Sequence, residues 1–165
     1  MSASPGAVRV GIGYDSHRFA QGGPLVLGGV RIEGDVHLEG HSDGDAIAHA
    51  VTDAVLGAAG AGDIGVMFSD RDPANEGRDS IEMLGLAVQR VQVLGWSVGN
   101  VDVVVIAERP RLAPVRDAMR ERLARALGIS VQAVSVKGKT NEGMGWIGRQ
   151  EGVACIATAT LVASR

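Results

Sequence analysis

One segment restricts the possible folds more than any other, namely the apolar stretch from Ala46 to Leu56. Its length and its Ala, Val and Leu content predict a helix that Ser42 or Asp43 caps and that ends near Gly60. Because almost every side chain of this helix is apolar, we expect it to be largely buried against the rest of the chain.

Two further helices are predicted downstream. One begins at Asp79, which together with Glu82 resembles a capping box, and it ends at Gly95. The other has Pro114 in its first turn and is closed by Gly128. Glycine after the last helical residue is a common stop signal because it adopts the left-handed conformation without strain.

The rest of the chain has strand patterns. Strands are predicted at 8–14, 24–32, 98–107, 131–137 and 153–163, with a bend in the second where two glycines adjoin. The interleaved order predicts one α/β (α+β) domain over residues 8–165. We expect a mixed, mostly four-stranded sheet with helices packed on one face, plus a short hairpin.

Composition excludes several classes of protein. The net charge is -3 without a dense basic run, which argues against nucleic-acid binding, and no apolar run approaches the ~20 residues of a membrane span. Residues 1–7 lack a signal-peptide pattern and are predicted to be a disordered tail. The single cysteine, Cys155, cannot form an internal disulfide, so we expect a cytoplasmic protein. Aromatic residues make up only 3% of the chain, so the core must be built from small aliphatic side chains and would benefit from oligomerisation.

Polar residues interrupt the apolar helix along one face. Asp45, His49 and Asp53 fall at positions i, i+4 and i+8, and polar groups buried without partners are costly. At the end of the first strand, Asp15 and His17 are two residues apart and therefore project to the same side. This arrangement predicts a metal site with Asp15, His17 and His49 as ligands.

Two imidazoles and a carboxylate favour zinc, with a fourth position open to water or substrate, and leave manganese and iron as alternatives. Asp45 or Asp53 is expected to orient His49 from behind. The competing interpretation places His17 on the surface and makes His49 a core histidine with a hydrogen-bond partner. The joint pattern favours the metal, because chance would have to place several polar groups on one apolar helix.

Two nucleotide-binding motifs are excluded. Gly11 and Gly13 lack the third glycine of a dinucleotide fingerprint, and residues 137–140 lack the upstream glycine spacing of a P-loop. The polar, Gly-containing segments 68–78 and 138–152 are predicted to be a mobile loop and a site-forming loop, respectively. Three cationic side chains in or directly before the second segment could contact phosphate oxygens, namely Lys137, Lys139 and Arg149.

Seven short motifs follow one another along the chain. They are Gly11–Phe19, Gly40–His49, Gly62–Gly65, Phe68–Pro73, Gly99–Asp102, Lys137–Glu142 and Gly148–Gly152. In order and in separation they resemble the motifs of the 2-C-methyl-D-erythritol 2,4-cyclodiphosphate synthase family, and the resemblance covers nearly everything from Val8 to Val162. Each motif alone is weak, but the ordered series is specific.

The resemblance implies a phosphorus–oxygen lyase of the non-mevalonate isoprenoid precursor pathway. Such an enzyme converts 4-diphosphocytidyl-2-C-methyl-D-erythritol 2-phosphate to 2-C-methyl-D-erythritol 2,4-cyclodiphosphate and releases CMP. The resemblance also implies a homotrimer with active sites between neighbouring subunits. It places Zn²⁺ on Asp15, His17 and His49, and a second divalent cation, Mg²⁺ or Mn²⁺, on Glu142 with the substrate phosphates.

Individual roles are implied as well. His41 and Thr140 would support the phosphates in the transition state, Asp63 would hold the ribose hydroxyls, residues 68–72 would cover the methylerythritol part, and residues 107–113 would line the cytosine pocket. The implied substrate-binding residues are Asp15, His17, His41, Ser42, Asp63, Ile64, Gly65, Phe68, Ser69, Asp70, Arg71, Asp72, Ala107, Glu108, Arg109, Pro110, Arg111, Leu112, Ala113, Lys139, Thr140, Asn141, Glu142, Trp146 and Arg149.

The sequence departs from the family pattern at a few loop positions. Gly143 stands where a longer polar residue is expected, Gln150 replaces an expected glycine, and Arg109 and Arg111 make the cytosine loop more basic. Competing functions are a metal-dependent phosphate-ester hydrolase and a non-catalytic metal-binding protein. Asp63 and the cytosine-loop motif favour the synthase over the hydrolase, and a non-catalytic protein would leave the phosphate-like loop unexplained.

Overall fold

The computed structural model describes residues 6–69 and 71–164. A mixed sheet is built from β1 (Val8–Gln21), β4 (Val36–Leu38), β5 (Trp96–Ile106), β6 (Val134–Lys139) and β7 (Gly152–Ala163). The strand order is β4-β1-β7-β5-β6, and every neighbouring pair is antiparallel except β5 and β6. A separate hairpin consists of β2 (Leu25–Leu27) and β3 (Val30–Ile32).

The prediction of a four-stranded sheet is therefore wrong by one strand. β4 contains only three residues, too few for a visible alternation of apolar and polar side chains, and it pairs with the end of β1 at Phe19–Gln21. The hairpin, the mixed character of the sheet and the single α/β domain are as predicted. Residues 1–5 of the predicted tail and Arg165 lie outside the described residues.

Five α-helices accompany the strands, two of them single turns. They are α1 (Ala46–Ala59), α2 (Ile64–Met67), α3 (Ser80–Val93), α4 (Arg116–Leu127) and α5 (Gly145–Gly148), with 3₁₀ turns at Pro73–Asn75 and Val131–Ala133. The predicted stops at Gly60 and Gly128 are confirmed, since both residues are C-caps in the left-handed conformation. Within the described residues, no helix is long and apolar enough to cross a membrane.

Three details of the helix starts differ from the predictions. The N-cap of α1 is Asp45, not Ser42 or Asp43, and its carboxylate accepts a hydrogen bond from the backbone N–H of Ala48. Asp79 caps α3 as predicted, but Glu82 accepts from Arg78 at 3.0 Å, and no reciprocal capping box forms. Pro114 precedes α4 instead of lying in its first turn, because the helix begins at Arg116.

Two glycines of β1 allow α1 to lie directly on the sheet. A Cβ atom at Gly11 would be 2.0 Å from the carbonyl oxygen of Ala54, and one at Gly13 would be 1.9 Å from that of Ala50. Because residues of a strand alternate between its faces, Asp15 and His17 project from the same face as these glycines. The close approach therefore brings the start of α1 against the two polar side chains of β1.

The core lies between this face of the sheet and the helices. As the composition predicts, its largest fully buried side chains are Leu, Ile, Val and Met, including Leu27, Ile47, Leu56 and Met119. Cys155 is also fully buried, which confirms it as a core residue. Helices cover one face of the sheet, as predicted, and the opposite face of β1 remains exposed.

Candidate functional site

The predicted ligands Asp15, His17 and His49 meet where β1 lies against α1. Asp15 Oδ2 is 2.8 Å from His17 Nε2 and 3.3 Å from His49 Nδ1, and the two imidazole nitrogens are 3.2 Å apart. Each residue offers one ligand atom to a common point, and all three side chains are mostly buried. The grouping predicted from the sequence is confirmed.

Hydrogen bonds behind the two imidazoles select their tautomers. His17 Nδ1 contacts the backbone carbonyl oxygen of Glu39, which can only accept, so the proton of a neutral ring sits on Nδ1. His49 Nε2 lies 2.9 Å from both Ser42 Oγ and Ser80 Oγ, and Ser80 donates onward to the Asp43 carboxylate. The nitrogens that face Asp15 therefore carry lone pairs when both rings are neutral.

This convergence of lone pairs fits a metal ion. Asp15 Oδ2 is buried and has no hydrogen-bond partner among the described residues, although two imidazole nitrogens adjoin it. Ligand atoms bound to tetrahedral Zn²⁺ at about 2.0–2.1 Å are separated by about 3.3 Å, close to the spacing between these atoms. Two nitrogens, one carboxylate oxygen and an open fourth side form a donor set that suits zinc.

The electrostatics of the group agree with a cation at its centre. Burial alone would raise the pKa of Asp15, but the adjoining imidazoles of His17 and His49 outweigh it and lower that pKa. Burial alone would lower the pKa of His17, but Asp15 and the Glu39 carbonyl outweigh it and raise that pKa. Asp15 thus favours positive charge beside it, which a metal can supply in place of a proton.

The expectation that Asp45 or Asp53 orients His49 is wrong. Asp45 is fully buried and accepts hydrogen bonds from the backbone N–H groups of Gly28 and Gly29 at 2.8 and 2.6 Å, so it fixes the bend of the β2–β3 hairpin. Asp53 accepts from the N–H of Ile64 at 2.7 Å and anchors the start of α2, while burial raises its pKa. The polar helix positions do have partners, but only His49 faces the candidate metal site.

A cavity of about 220 Å³ opens over this triad. Most of its lining was predicted from the sequence, and the predicted members are Asp15, His17, His41, Ser42, His49, Ile64, Gly65 and Phe68. Asn75 and Met83 complete the lining. The lining thus combines polar and apolar side chains, which suits a ligand that carries both phosphate and carbon groups.

A second cavity of about 230 Å³ lies at the ends of β5 and β6. Most of the predicted cytosine-pocket segment lines it, together with two residues at the end of β6. The predicted members are Ala107, Glu108, Pro110, Arg111, Leu112, Ala113, Lys139 and Thr140. Its lining combines apolar side chains such as Leu112 with the Thr140 hydroxyl and charged groups. Pockets with mostly apolar walls and a few polar groups suit small organic ligands.

Several predicted residues lie outside these two cavities. Arg109 turns away and forms an ion pair with Asp35 at 3.3 Å, and its guanidinium lies over the Phe19 ring. Glu142 is exposed, and its carboxylate accepts from Thr140 Oγ1 at 3.0 Å. Trp146 lines a further cavity beside His17.

The remaining predicted residues have local partners. Asp63 caps α2 by accepting from Val66, Asp72 caps the turn Pro73–Asn75, Ser69 accepts from Arg71, and Arg149 pairs with Glu151 at 2.6 Å. Lys137 is bound to Asp102 at 2.6 Å, which leaves it poorly placed to contact phosphate. Asn141 donates its side-chain amide to Met144, and Asp70 lies outside the described residues.

Sequence reasoning missed the groups that support the two imidazoles, namely Ser80 and Asp43 behind His49 and the Glu39 carbonyl behind His17. Ser80 and Asp43 are 37 positions apart and meet only because the N-terminus of α3 lies beside the start of α1. The Glu39 carbonyl is a backbone group and leaves no side-chain signature. The one available signal was the position of Ser80, a small polar residue directly after the predicted N-cap Asp79, and the structure shows that it is fully buried.

Comparisons with known proteins agree with this geometry. The family model of the YgbB family matches residues 8–162. The 2-C-methyl-D-erythritol 2,4-cyclodiphosphate synthase of Gemmatimonas aurantiaca is 64% identical over 156 residues, which cover 94% of each chain. The IspF of Plasmodium falciparum, solved as a CDP complex, superposes with a TM-score of 0.84 at 34% identity over 98% of this chain and 100% of its own.

A larger protein contains the same fold. The bifunctional IspDF of Campylobacter jejuni superposes with a TM-score of 0.92 at 39% identity, over 96% of this chain but only 43% of its own length. The high identity to the Gemmatimonas synthase and the match to the family model both extend over nearly the whole chain. The chain therefore belongs to the YgbB family, that of the 2-C-methyl-D-erythritol 2,4-cyclodiphosphate synthases.

Proposed function

We propose that this protein converts 4-diphosphocytidyl-2-C-methyl-D-erythritol 2-phosphate to 2-C-methyl-D-erythritol 2,4-cyclodiphosphate. An oxygen of the 2-phosphate attacks the β-phosphorus of the diphosphate and forms a new P–O bond. The bond from that phosphorus to the bridging oxygen breaks, and CMP leaves with the electron pair. The observation that carries the proposal is the convergent Asp15–His17–His49 group, in a chain 64% identical to a synthase of this name.

Asp15, His17 and His49 would hold Zn²⁺, which when bound withdraws charge from a phosphate oxygen of the substrate. His41 and Ser42 in the cavity wall would orient that phosphate by hydrogen bonds, because both project into the space over the triad. Ile64, Gly65 and Phe68 also line this cavity and would contact the methylerythritol carbons. The enzyme needs no nucleophile of its own, since the attacking oxygen belongs to the substrate.

The second cavity would take the cytidine end of the substrate. Support comes from its placement between the 107–113 segment and Thr140, and from the CDP complex of the Plasmodium relative. Thr140 and Lys139 would contact the diphosphate there, and Asp63 would accept hydrogen bonds from the ribose hydroxyls. Glu142, with the substrate phosphates, would hold a second divalent cation, Mg²⁺ or Mn²⁺, since carboxylate and phosphate oxygens suit these ions.

The proposed assembly is a homotrimer in which each site forms between two subunits. The uncovered face of β1 supports this, because Val10, Ile12 and Tyr14 are 68%, 70% and 56% exposed in the single chain. Ile156 and Val162 of β7 extend the same apolar face. A continuous apolar surface of this kind marks an interaction surface, and burial between copies would remove it from water.

A turnover assay tests the function. The purified protein, supplied with Zn²⁺ and Mg²⁺, is incubated with the substrate, and CMP and the cyclic diphosphate are followed by chromatography and ³¹P NMR. We expect both products in equal amounts, loss of turnover with a chelator, and recovery on adding back Zn²⁺ and Mg²⁺. His49→Ala should be inactive, whereas His37→Ala, which alters a histidine on β4, should be active.

Two outcomes would contradict the proposal. If folded, metal-loaded protein releases no CMP, the named reaction is wrong. If it instead releases inorganic phosphate from simple phosphate esters, the protein is a metal-dependent hydrolase.

A further inference from the structure

The side chain of Glu108, a residue of the predicted cytosine segment, is hydrogen-bonded to the backbone of a different loop. Its side-chain oxygen Oε1 accepts a hydrogen bond from the backbone N–H of Asn141 at 2.9 Å and another from that of Gly143 at 3.3 Å. The carboxylate thus points away from the 107–113 segment and into the neighbouring loop. One oxygen atom joins the two loops that border the second cavity.

The two donors lie on either side of Glu142. Glu142 has a φ of 52°, in the left-handed region that residues with a side chain rarely adopt, so neighbouring contacts must hold it there. Thr140 Oγ1 donates to the Glu142 carboxylate at 3.0 Å. The hydrogen bonds to Glu108 therefore determine where the carboxylate of Glu142 and the hydroxyl of Thr140 are presented.

The backbone directly before Glu108 is fixed by the sheet. The N–H of Ala107 donates to the carbonyl of Lys139 at 2.9 Å, which continues the β5–β6 pairing up to the residue before Glu108. On the far side, the loop has little room to move, because a Cβ atom at Gly148 would be 2.0 Å from the carbonyl carbon of Gly143. The hydrogen bonds from Asn141 and Gly143 to Glu108 hold this loop on its other side.

We propose that Glu108 is a positioning residue that holds Glu142 in place for the second divalent cation. The inference rests on the proposed function, because Glu142 is assigned to that cation there. The proposed role needs no direct contact between Glu108 and the cation, because its Oε1 accepts its hydrogen bonds from the loop backbone. Its loss should weaken the use of Mg²⁺ or Mn²⁺ and leave the zinc group unaffected.

The test compares three substitutions in the zinc-loaded protein of 165 residues. Glu108→Ala removes the acceptor, Glu108→Gln keeps a carbonyl oxygen at the same position, and Glu121→Ala removes an exposed glutamate of α4 as a control. The Mg²⁺ concentration that gives half-maximal CMP release is measured for each, together with zinc content. Hydrogen–deuterium exchange of peptides that span residues 139–146 reports on the loop without requiring turnover.

For Glu108→Ala we expect the required Mg²⁺ concentration to rise by ~10-fold or more, as for other groups that support metal ligands, with unchanged zinc content. Exchange in the 139–146 loop should accelerate. Glu121→Ala should resemble the unaltered protein in both measurements, and Glu108→Gln, which keeps the acceptor oxygen, should retain the slow exchange of the 139–146 loop.

An unchanged Mg²⁺ requirement or unchanged loop exchange in Glu108→Ala would overturn the inference. A uniform loss of activity at every Mg²⁺ concentration would also overturn it, because that is the effect of a general structural defect. If the unaltered protein releases no CMP, the proposed function fails instead, and the exchange measurement still decides whether Glu108 holds the loop.

Discussion

A methyl group at position 13 should disturb both the stability of the protein and its metal site. The Cβ atom of Gly13→Ala would lie 1.9 Å from the carbonyl oxygen of Ala50. Relief of this contact requires α1 and β1 to separate by at least about 1 Å, since packed interiors do not tolerate such overlap. Overpacking against backbone falls at the upper end of its usual range, so we expect a loss of about 3 kcal/mol.

The same displacement should affect the ligands. His49 adjoins Ala50 on α1, so its Nδ1 atom moves away from Asp15 and His17, whereas metal sites tolerate deviations of only about 0.2 Å. Zinc affinity should therefore fall by roughly 10-fold or more, comparable to the loss of a supporting hydrogen bond. In a chain of this size, a 3 kcal/mol loss corresponds to a fall in Tm of roughly 6–12 °C.

Two measurements separate these effects. Thermal unfolding of the chelator-treated protein gives the stability change without metal, and competition with a chromophoric chelator gives the zinc affinity. Gly57→Ala is the matched control on α1, because the nearest atom to its Cβ, the Ile12 carbonyl oxygen, is 3.9 Å away. That control should be stabilising by up to about 1 kcal/mol, since alanine favours helix over glycine. A Gly13→Ala protein with the unfolding temperature and zinc affinity of the unaltered chain would refute the packing argument.

Two further changes test single features of the site and its loops. Ser80→Ala removes one of two hydroxyls on His49 Nε2 and should lower zinc affinity by ~10-fold, measured by chelator competition, while Ser97→Ala at the surface should not. Gln150 has a φ of 60°, so Gln150→Gly should be more stable than Gln150→Ala by about 1 kcal/mol in urea unfolding. At an ordinary helix or strand position, the alanine variant would be the more stable of the two. The same result at position 150 would contradict the inference that Gln150 has a strained backbone.

Patterns that depend on neighbouring residues were read correctly from the sequence. The stops at Gly60 and Gly128 follow from the conformational freedom of glycine after a helix, and both are left-handed C-caps. The ligand group was predictable because Asp15 and His17 share one side of a strand and His49 lies on an apolar helix. Each inference needed only periodicity and the cost of burying a polar group.

What the sequence could not indicate depends on contacts between distant segments. A strand of three residues such as β4 has no readable period, and it exists because β1 continues to Gln21 and offers an edge. Asp45 was read as a possible support for His49, but its partners are backbone N–H groups of the hairpin bend at Gly28 and Gly29. Backbone donors leave no trace in the pattern of side chains.

The separation of the two cavities leads to a last prediction about assembly. The triad cavity contains no residue of the 107–113 segment, and the second cavity contains none of the three ligands. If each active site combines the triad of one subunit with the second cavity of its neighbour, two inactive variants should complement each other. His49→Ala damages only the first half and Thr140→Ala only the second.

In trimers assembled at random from equal amounts of these two variants, a site is intact only when a Thr140→Ala subunit supplies the triad and a His49→Ala subunit supplies the other half. That combination occurs at about one site in four, so co-expressed variants should recover about 25% of the unaltered activity. Each variant expressed alone should be inactive, and mixing them without subunit exchange should restore nothing. Recovery near zero in trimers that contain both variants would mean that each chain builds its own complete site, and the proposed interface site would then be wrong.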